Sequence, residues 1–314
     1  MKKILTKGLI AALSLTLLVV SVAGCGTSNS ASTAAGGAKK GPTIKIGSKT
    51  FTEQLLLGTL LYDYLQGLGY PVENKTGLGE AAVIRPALTS GQIDVYWEYT
   101  NTCVTDFMKH DPVFDAKQAY DLVKDWDAKN GLVWLPYAPL NDTYGVVVRP
   151  DVAQKYNLKT ISDWTNLIKS GTHLKFVSFT EWDEREDGLP RFETAYNTKI
   201  PKDDVVEVAM GLNYDALANK KGDLALVFTT EPRIVTDKLV LLKDDKNAFA
   251  VYNASPVFRK QTLDAYPDLA NDVNKLSAVL DTDTITDLNK QVDVDKKGVE
   301  DVSKTFLKSK GLLK

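Results

Sequence analysis

From residue 43 onward, hydrophobic positions alternate between two periods along the chain. Residues 43–47 (TIKIG) alternate polar and apolar, the period of a half-buried strand. Leu55, Leu56, Leu60, Leu61, Tyr64 and Leu65 then recur at helical spacing, and Gly67 and Gly69 stop the run. Thr50 and Glu53 stand three apart at its start, the spacing of a capping box. A second strand is predicted at 72–75, a helix over 80–90 with Gly91 as its stop, and a third strand at 93–98. The alternation goes on with a helix at 120–130, strands at 132–135 and 144–149, helices at 151–156 and 163–169, and a strand at 174–178. A helix at 214–220 and a strand at 224–228 follow. Such alternation predicts an α/β fold with a largely parallel sheet. The end of the chain differs, with helices predicted at 259–266, 268–280, 284–291 and 299–308 and no strand between them. A helical tail on an α/β body suits one that packs back on the first domain. No internal repeat is visible.

The first 42 residues obey other rules. Lys2, Lys3 and Lys7 precede an apolar run at 9–20, and Val22-Ala23-Gly24 offers small residues for cleavage, so the segment reads as an export signal. The run is shorter than the ~20 residues of a membrane span. The next residue is Cys25, and Val-Ala-Gly-Cys resembles a bacterial lipobox, in which the cysteine is diacylated and becomes the new N-terminus. The alternative is an ordinary secretory signal with a chance cysteine. Residues 26–42 (GTSNSASTAAGGAKKGP) are low in complexity and predict a flexible tether of ~23 Å reach. With Cys25 lipidated, Cys103 is the remaining thiol, so no intrachain disulfide is expected.

Net charge is −2, but the first 42 residues hold five lysines and no acid, which leaves the rest of the chain with 33 basic and 40 acidic residues. That acidic body argues against a nucleic-acid partner, which needs a basic face. It suits a cationic small ligand.

Few residues invite catalysis. The histidines, His110 and His173, stand far apart and without ligand spacing to other donors, so neither a catalytic histidine nor a metal site is expected. No G-x-S-x-G or phosphate-binding G-x-x-x-x-G-K-[ST] stretch is present. Gly77-Leu-Gly79-Glu-Ala-Ala82 matches G-x-G-x-x-A, with Asp94 and Glu98 near the place of a ribose-binding acid. The strand before it is polar and is not the first of its sheet, so a tight loop facing a cleft is the better reading, and no cofactor is expected. Nothing in the sequence pairs two acids for proton transfer, and Cys103 reads as a small buried side chain. The unusual feature is aromatic residues beside polar ones at strand ends: Tyr96-Trp97-Glu98-Tyr99-Thr100-Asn101-Thr102 and Asn141-Asp142-Thr143-Tyr144. Strand ends are where α/β sheets hold ligands.

These residues carry a resemblance. Gly47-Ser-Lys49-x-Phe51-Thr-Glu-Gln54, Ser90-Gly-x-Ile-Asp94 and Glu98-Tyr99-Thr100-x-Thr102 resemble the substrate-binding proteins of glycine betaine/choline ABC importers. The similarity runs on through Asn141-x-Thr-Tyr144, Glu181-x-x-x-Arg185-x-Asp187-Gly188, Gly222-Asp223 and Ala254-x-Pro256-Val257-x-Arg259. It implies a two-lobed, type II periplasmic-binding-protein fold with the ligand cleft between the lobes and the C-terminal helices returning to lobe 1. The implied division is a signal peptide at 1–24, a lipidated Cys25 and linker to 42, lobe 1 at 43–141 plus 249–314, and lobe 2 at 142–248. In the family an aromatic cage holds a trimethylammonium group, and by position its rings would be Tyr99, Tyr144, Phe228 and Tyr252. Such a head cannot donate a hydrogen bond, so ring faces and fit must select it. The family's polar contacts fall on Lys49, Thr102, Asp142, Glu181 and Arg185, and Lys49 and Arg185 are placed to bind a substrate carboxylate. A bare i,i+4 surface pair is the other reading of Glu181–Arg185.

The sequence departs from the family at Phe228-Thr-Thr-Glu-Pro-Arg233, where Tyr-Ser/Thr-Thr-Asp-Gly-Arg is usual, and Trp182 would add a ring near the site. The resemblance implies a lipid-anchored, extracytoplasmic receptor that delivers quaternary ammonium osmoprotectants to a membrane permease and makes or breaks no bond. The alternatives are a receptor for another zwitterion or amino acid, or a secreted enzyme using Glu181 or Asp142 as a base.

Overall fold

The computed structural model describes residues 38–184, 187–209 and 212–314. The export signal, Cys25 and most of the expected tether lie outside these residues. Ten strands form two five-stranded sheets. The first contains β1 (Ile44–Gly47), β2 (Val72–Lys75), β3 (Val95–Tyr99), β4 (Leu132–Trp134) and β10 (Ala254–Arg259), in the order β2-β1-β3-β10-β4. The second contains β5 (Tyr144–Val148), β6 (Phe176–Ser178), β7 (Val205–Glu207), β8 (Leu224–Phe228) and β9 (Val240–Leu242), in the order β7-β6-β8-β5-β9.

The sheets are mixed rather than largely parallel. Beside β1, β2 and β3, which run parallel, β10 lies antiparallel to both β3 and β4. The second sheet repeats the plan, with β6, β7 and β8 parallel and β5 antiparallel to β8 and β9. In each sheet the antiparallel inner strand is the one that follows a crossing from the other sheet. The two crossings touch at an antiparallel bridge between Asn141 and Asn253. Ala248 and Phe249 still pack in the core of the second sheet, so the return crossing lies nearer Asn253 than residue 249.

Helix α1 (Thr52–Gly67) buries Leu56, Leu57, Leu60 and Leu61 completely. It is covered on one side by β1 and β3 and on the other by the C-terminal helices Thr282–Asp293 and Val299–Ser309. A helix enclosed in this way needs apolar residues around most of its circumference. The expected capping box does not form. Phe51 is the N-cap and makes no side-chain cap bond. The Thr50 side chain instead bonds to Glu80, and Glu53 turns inward to Tyr99. Helix α2 (Ala81–Ser90) ends as expected on Gly91, whose φ of 81° favours glycine.

The end of the expected tether is docked. The Lys39 backbone N–H donates to the Gly69 carbonyl at 2.9 Å, its Nζ pairs with Asp272 at 3.1 Å, and Tyr266 donates its hydroxyl to the Pro42 carbonyl at 2.6 Å. The folded body therefore begins by Lys39. Cys103 is buried and unbridged. No helix among the described residues is long and apolar enough to cross a membrane.

Candidate functional site

Three loops at strand ends converge on one cavity of about 370 Å³. The β1–α1 loop brings Lys49 and Phe51 to it, and the C-terminal end of β3 with the turn after it brings Tyr99, Thr102 and Asp106. The chain leaves β3 through a helical turn that widens to a π-helix over Cys103–Phe107, an uncommon geometry that re-aims side chains. Glu80 and Ala81, at the start of α2, close that side. The glycine loop before them contains Gly77 and Gly79 with φ of 73° and 152°. It is the tight turn expected from its sequence, but the Gly77 and Leu78 N–H groups donate to Ser48 at 2.9 and 3.0 Å rather than facing the cleft.

The opposite wall comes from the second sheet and the crossings. Asp142 and Thr143 lie on the outgoing crossing, Tyr144 opens β5, Phe228 closes β8, and Tyr252 lies on the return crossing. Tyr144 and Phe228 are register partners across the antiparallel pair, which stacks their rings 4.8 Å apart at 28°. Phe51 and Tyr99 face each other nearly parallel, 6.4 Å apart at 18°. The crossings are held together by the Tyr252 N–H donating to Asn141 Oδ1 at 2.6 Å, and Thr229, just after β8, ties the outgoing crossing to the second sheet by donating its Oγ1 to the Asn141 carbonyl at 2.7 Å.

The polar groups around the rings are already engaged. Lys49 Nζ lies 2.5 Å from Glu98 Oε1 and 5.0 Å from the Tyr99 ring centre, and both charges are buried. Glu98 also accepts from the Tyr96 hydroxyl and from the Tyr99 backbone N–H, each at 2.8 Å. The Tyr99 hydroxyl donates to Glu53 Oε1 at 2.6 Å. Thr230 Oγ1 donates to Asp142 Oδ1 at 2.8 Å. Burial, with the Asp142 charge added, pushes the Glu53 carboxyl up to about 8. Burial also raises Asp142, while the Thr230 bond and the Lys49 charge hold it down. Burial and the Glu53 charge push the Tyr99 hydroxyl far up, so it stays a donor.

Lys49, Tyr99, Thr102, Asp142, Tyr144, Phe228 and Tyr252 thus share one cavity. Glu181 has its backbone in the helix Thr180–Glu184, but its side chain and all of Arg185 lie outside the described residues. Trp182 is not near the cavity wall. It is buried in the second core, 6.1 Å from Phe192 and 6.2 Å from Phe249 between ring centres. Sequence reasoning missed Phe51 as a ring of the site, the rim acids Glu80 and Asp106, and the supporting Glu53, Thr230 and Asn289. It also found no paired acids, whereas folding brings Glu53 and Asp142 into each other's field across 89 positions of sequence.

A second cavity, of about 420 Å³, shares Thr143 and Tyr144 but is otherwise lined mainly by polar and aliphatic side chains such as Lys159, Lys243 and Leu241, with Phe249 its one added ring. It offers no cage. No cluster of metal-binding side chains occurs among the described residues.

Comparison with known proteins places this geometry. The model of the substrate-binding domain of ABC-type glycine betaine transport systems matches residues 42–309. A glycine-betaine-binding protein of Pseudomonas aeruginosa is 35% identical over 286 residues, covering 89% of this chain and 91% of the relative. The carnitine transport binding protein OpuCC of Listeria monocytogenes is 33% identical over 276 residues, covering 87% and 88%. Among solved structures, apo YehZ from Escherichia coli superposes with a TM-score of 0.81 at 33% identity, over 87% of this chain and 100% of that one.

Proposed function

The chain belongs to the substrate-binding domains of ABC-type glycine betaine transport systems, and from that membership we propose that its aromatic cleft captures quaternary ammonium compounds of the glycine betaine, choline and carnitine type. As a member of this family it is an extracytoplasmic substrate-binding protein of type II two-lobed fold that works with an ABC importer. Its named relatives are transport binding proteins.

The observation that carries the ligand reading is the composition of the cavity. Five rings (Phe51, Tyr99, Tyr144, Phe228 and Tyr252) line it together with the acids Glu80, Asp106 and Asp142. Its one cationic lining residue among those described, Lys49, is neutralised by Glu98. Ring faces are negative, so this wall attracts a cation that has no hydrogen bond to offer, at ~0.5–2 kcal/mol per well-placed ring. Rings from both sheets are needed, so a ligand in the cleft draws the two halves together. The paired crossings at Asn141 and Asn253 are the natural hinge for that closure.

Lobe 1 in this reading is the first sheet with the C-terminal helices, and lobe 2 is the second sheet. Glu181 and Arg185 would complete the polar end of the site. Cys25 would carry the lipid anchor, since two or more acyl chains hold a protein to a membrane where one does not. The closed form would dock on its permease.

Calorimetric titration of the full mature chain with choline, glycine betaine, carnitine and proline tests this. Saturable binding of at least one of the first three is expected. Binding of proline alone would replace the reading with that of an amino-acid receptor, and turnover of any ligand would replace it with an enzyme.

A further inference from the structure

One side chain that does not line the cavity reaches both of its walls. Asn289 stands on the helix Thr282–Asp293, which packs against α1, and is 5% exposed. Its Nδ2 lies 3.4 Å from Glu53 Oε2 and 3.2 Å from the Thr230 carbonyl oxygen. An amide nitrogen has two hydrogens, one for each of these acceptors. Turned end for end, the amide would set its oxygen against two acceptors, so the surroundings allow one orientation. Its Oδ1 meets no donor. Asn289 therefore engages its neighbours through its N–H groups alone.

Each acceptor leads on to a residue of the cavity wall. Glu53 takes the Tyr99 hydroxyl on its other oxygen at 2.6 Å, which restrains the plane of a ring that faces the cavity. Thr230 donates its hydroxyl to Asp142 Oδ1 at 2.8 Å, which restrains a carboxylate of the opposite wall. The path Tyr99–Glu53–Asn289–Thr230–Asp142 thus runs behind the cavity from ring to acid, with one amide at its centre. Glu53, Thr230 and Asn289 are all buried, so water does not compete for these bonds. One turn earlier on the same face of the helix, Thr286 Oγ1 lies 3.3 Å from the Thr229 carbonyl oxygen. The helix therefore grips the turn after β8 at two successive carbonyls, directly behind the cavity ring Phe228.

Resting on the quaternary-ammonium reading above, we propose that Asn289 is a positioning residue of the binding site: it sets the Tyr99 ring and the Asp142 carboxylate relative to one another, so that one cationic head meets ring face and negative charge together. Both attractions fall off with misplacement, and an arrangement held in the empty protein need not be ordered at the moment of binding. Without Asn289, Glu53 and the turn after β8 lose their common partner, and each wall relaxes on its own.

The test has two arms. In the first, choline is titrated calorimetrically into wild type, Asn289→Ala, the double variant Tyr99→Phe/Thr230→Val, and all three changes combined. Tyr99→Phe keeps the ring and Thr230→Val keeps the side-chain shape, so the double variant cuts the path at both ends and leaves Asn289 in place. Asn289→Ala should weaken choline roughly threefold to thirtyfold in the wild-type background and within about twofold in the cut background, because residues of one network couple and severed ones do not. An amide with a merely structural role lowers affinity by the same factor in both, and that result overturns the proposal. So does a folded Asn289→Ala that binds choline like wild type. If Asn289→Ala does not fold, Asn289→Leu, which fills the volume and has no hydrogen to give, takes its place.

The second arm needs no ligand. Hydrogen exchange of the empty protein reads the Thr229 and Glu231 amides, which donate to the Thr143 and Phe228 carbonyls at 2.8 and 3.2 Å. Both should exchange faster in Asn289→Ala, while β6 and β7 exchange as in wild type. Unchanged exchange at 229–231 overturns the proposal whatever the ligand. If no quaternary amine binds wild type, the ligand reading fails, and faster exchange confined to this turn still supports Asn289 as the residue that holds the two walls.

Discussion

Lys49 and Glu98 form a buried ion pair whose Nζ and Oε1 are 2.5 Å apart, at the point where the β1–α1 loop meets the end of β3. The family resemblance implies Lys49 as a ligand for a substrate carboxylate. In the fold its charge serves first to neutralise Glu98, which also accepts from the Tyr96 hydroxyl and the Tyr99 backbone N–H. Removing one member of such a pair strands the other in a medium that solvates it poorly. Lys49→Met should therefore cost ~3–5 kcal/mol of stability, while Lys49→Met combined with Glu98→Gln should recover a large part of the loss. Urea unfolding of the two variants decides it. A single-variant loss below ~1 kcal/mol would mean the pair is solvated and Lys49 is free for ligand.

Phe51 and Tyr99 both present ring faces to the cavity but differ in what else they hold. Phe51 is 40% exposed and stands at the start of α1 without capping it. Tyr99 is buried and bonded to Glu53. Phe51→Ala should weaken choline binding by roughly twofold to thirtyfold, the range of one desolvated cation–π contact, with little change in unfolding midpoint. Tyr99→Ala should weaken binding at least as much and also destabilise the fold. Calorimetry beside thermal unfolding separates the two, and unchanged affinity in a folded Phe51→Ala would remove that ring from the cage.

The Glu53 acid also makes a prediction about stability. Its value rises from 4.5 to about 8 on folding. Between these values the folded chain binds more protons than the unfolded one, so stability from this group falls as pH rises through the window and is constant above about 8. At 1.36 kcal/mol per unit the fall amounts to a few kcal/mol. Glu53→Gln keeps one acceptor for the Tyr99 hydroxyl, turns an amide nitrogen toward Asn289, and has no proton to lose. Relative to wild type it should gain stability progressively from pH 5 to pH 8, read as the difference between their urea midpoints. Parallel curves would show that Glu53 is ionised throughout.

Much of the order of strands and helices was legible because most elements carry their own period, although β7, β9 and the helix Leu189–Tyr196 were not foreseen. What failed were positions at which a distant partner outranks a local rule. Thr50 and Glu53 have capping-box spacing, yet Glu53 is drawn to Tyr99, 46 positions on, and Thr50 to Glu80. Strand β10 was not foreseen because Pro256 stands in its middle, and proline has no N–H for a central ladder. The strand survives there because the Pro256 carbonyl still accepts from the Leu135 N–H at 3.0 Å. The kinship of the two sheets left no sequence repeat, since it lies in strand order and not in residues. Of the site, the rings at strand ends were legible as tyrosines beside polar residues. Phe51 was not, because its sequence neighbours read as a helix start. Trp182, expected near the site by its position next to Glu181, is instead buried in the second core among Phe176, Phe192 and Phe249.

The polar end of the ligand gives the last prediction. Choline and glycine betaine share a trimethylammonium head and differ at the tail, hydroxyl against carboxylate. The described wall of the cavity holds Glu80, Asp106 and Asp142, and its Lys49 is engaged by Glu98, so it repels a carboxylate tail more than it attracts one. A betaine carboxylate therefore needs a cation from elsewhere, and the family resemblance puts Arg185 in that role. Its planar fork can grip both oxygens at once. Arg185→Ala should then weaken glycine betaine by roughly tenfold to a hundredfold, the worth of ~1.5–3 kcal/mol for a hydrogen bond to a charged group, and leave choline nearly unchanged. If Arg185 only pairs with Glu181 on the surface, both ligands lose equally little. Parallel titrations of wild type and variant with the two ligands distinguish these outcomes. A stronger loss for choline than for betaine would remove Arg185 from the carboxylate role, because the tail is where the two ligands differ.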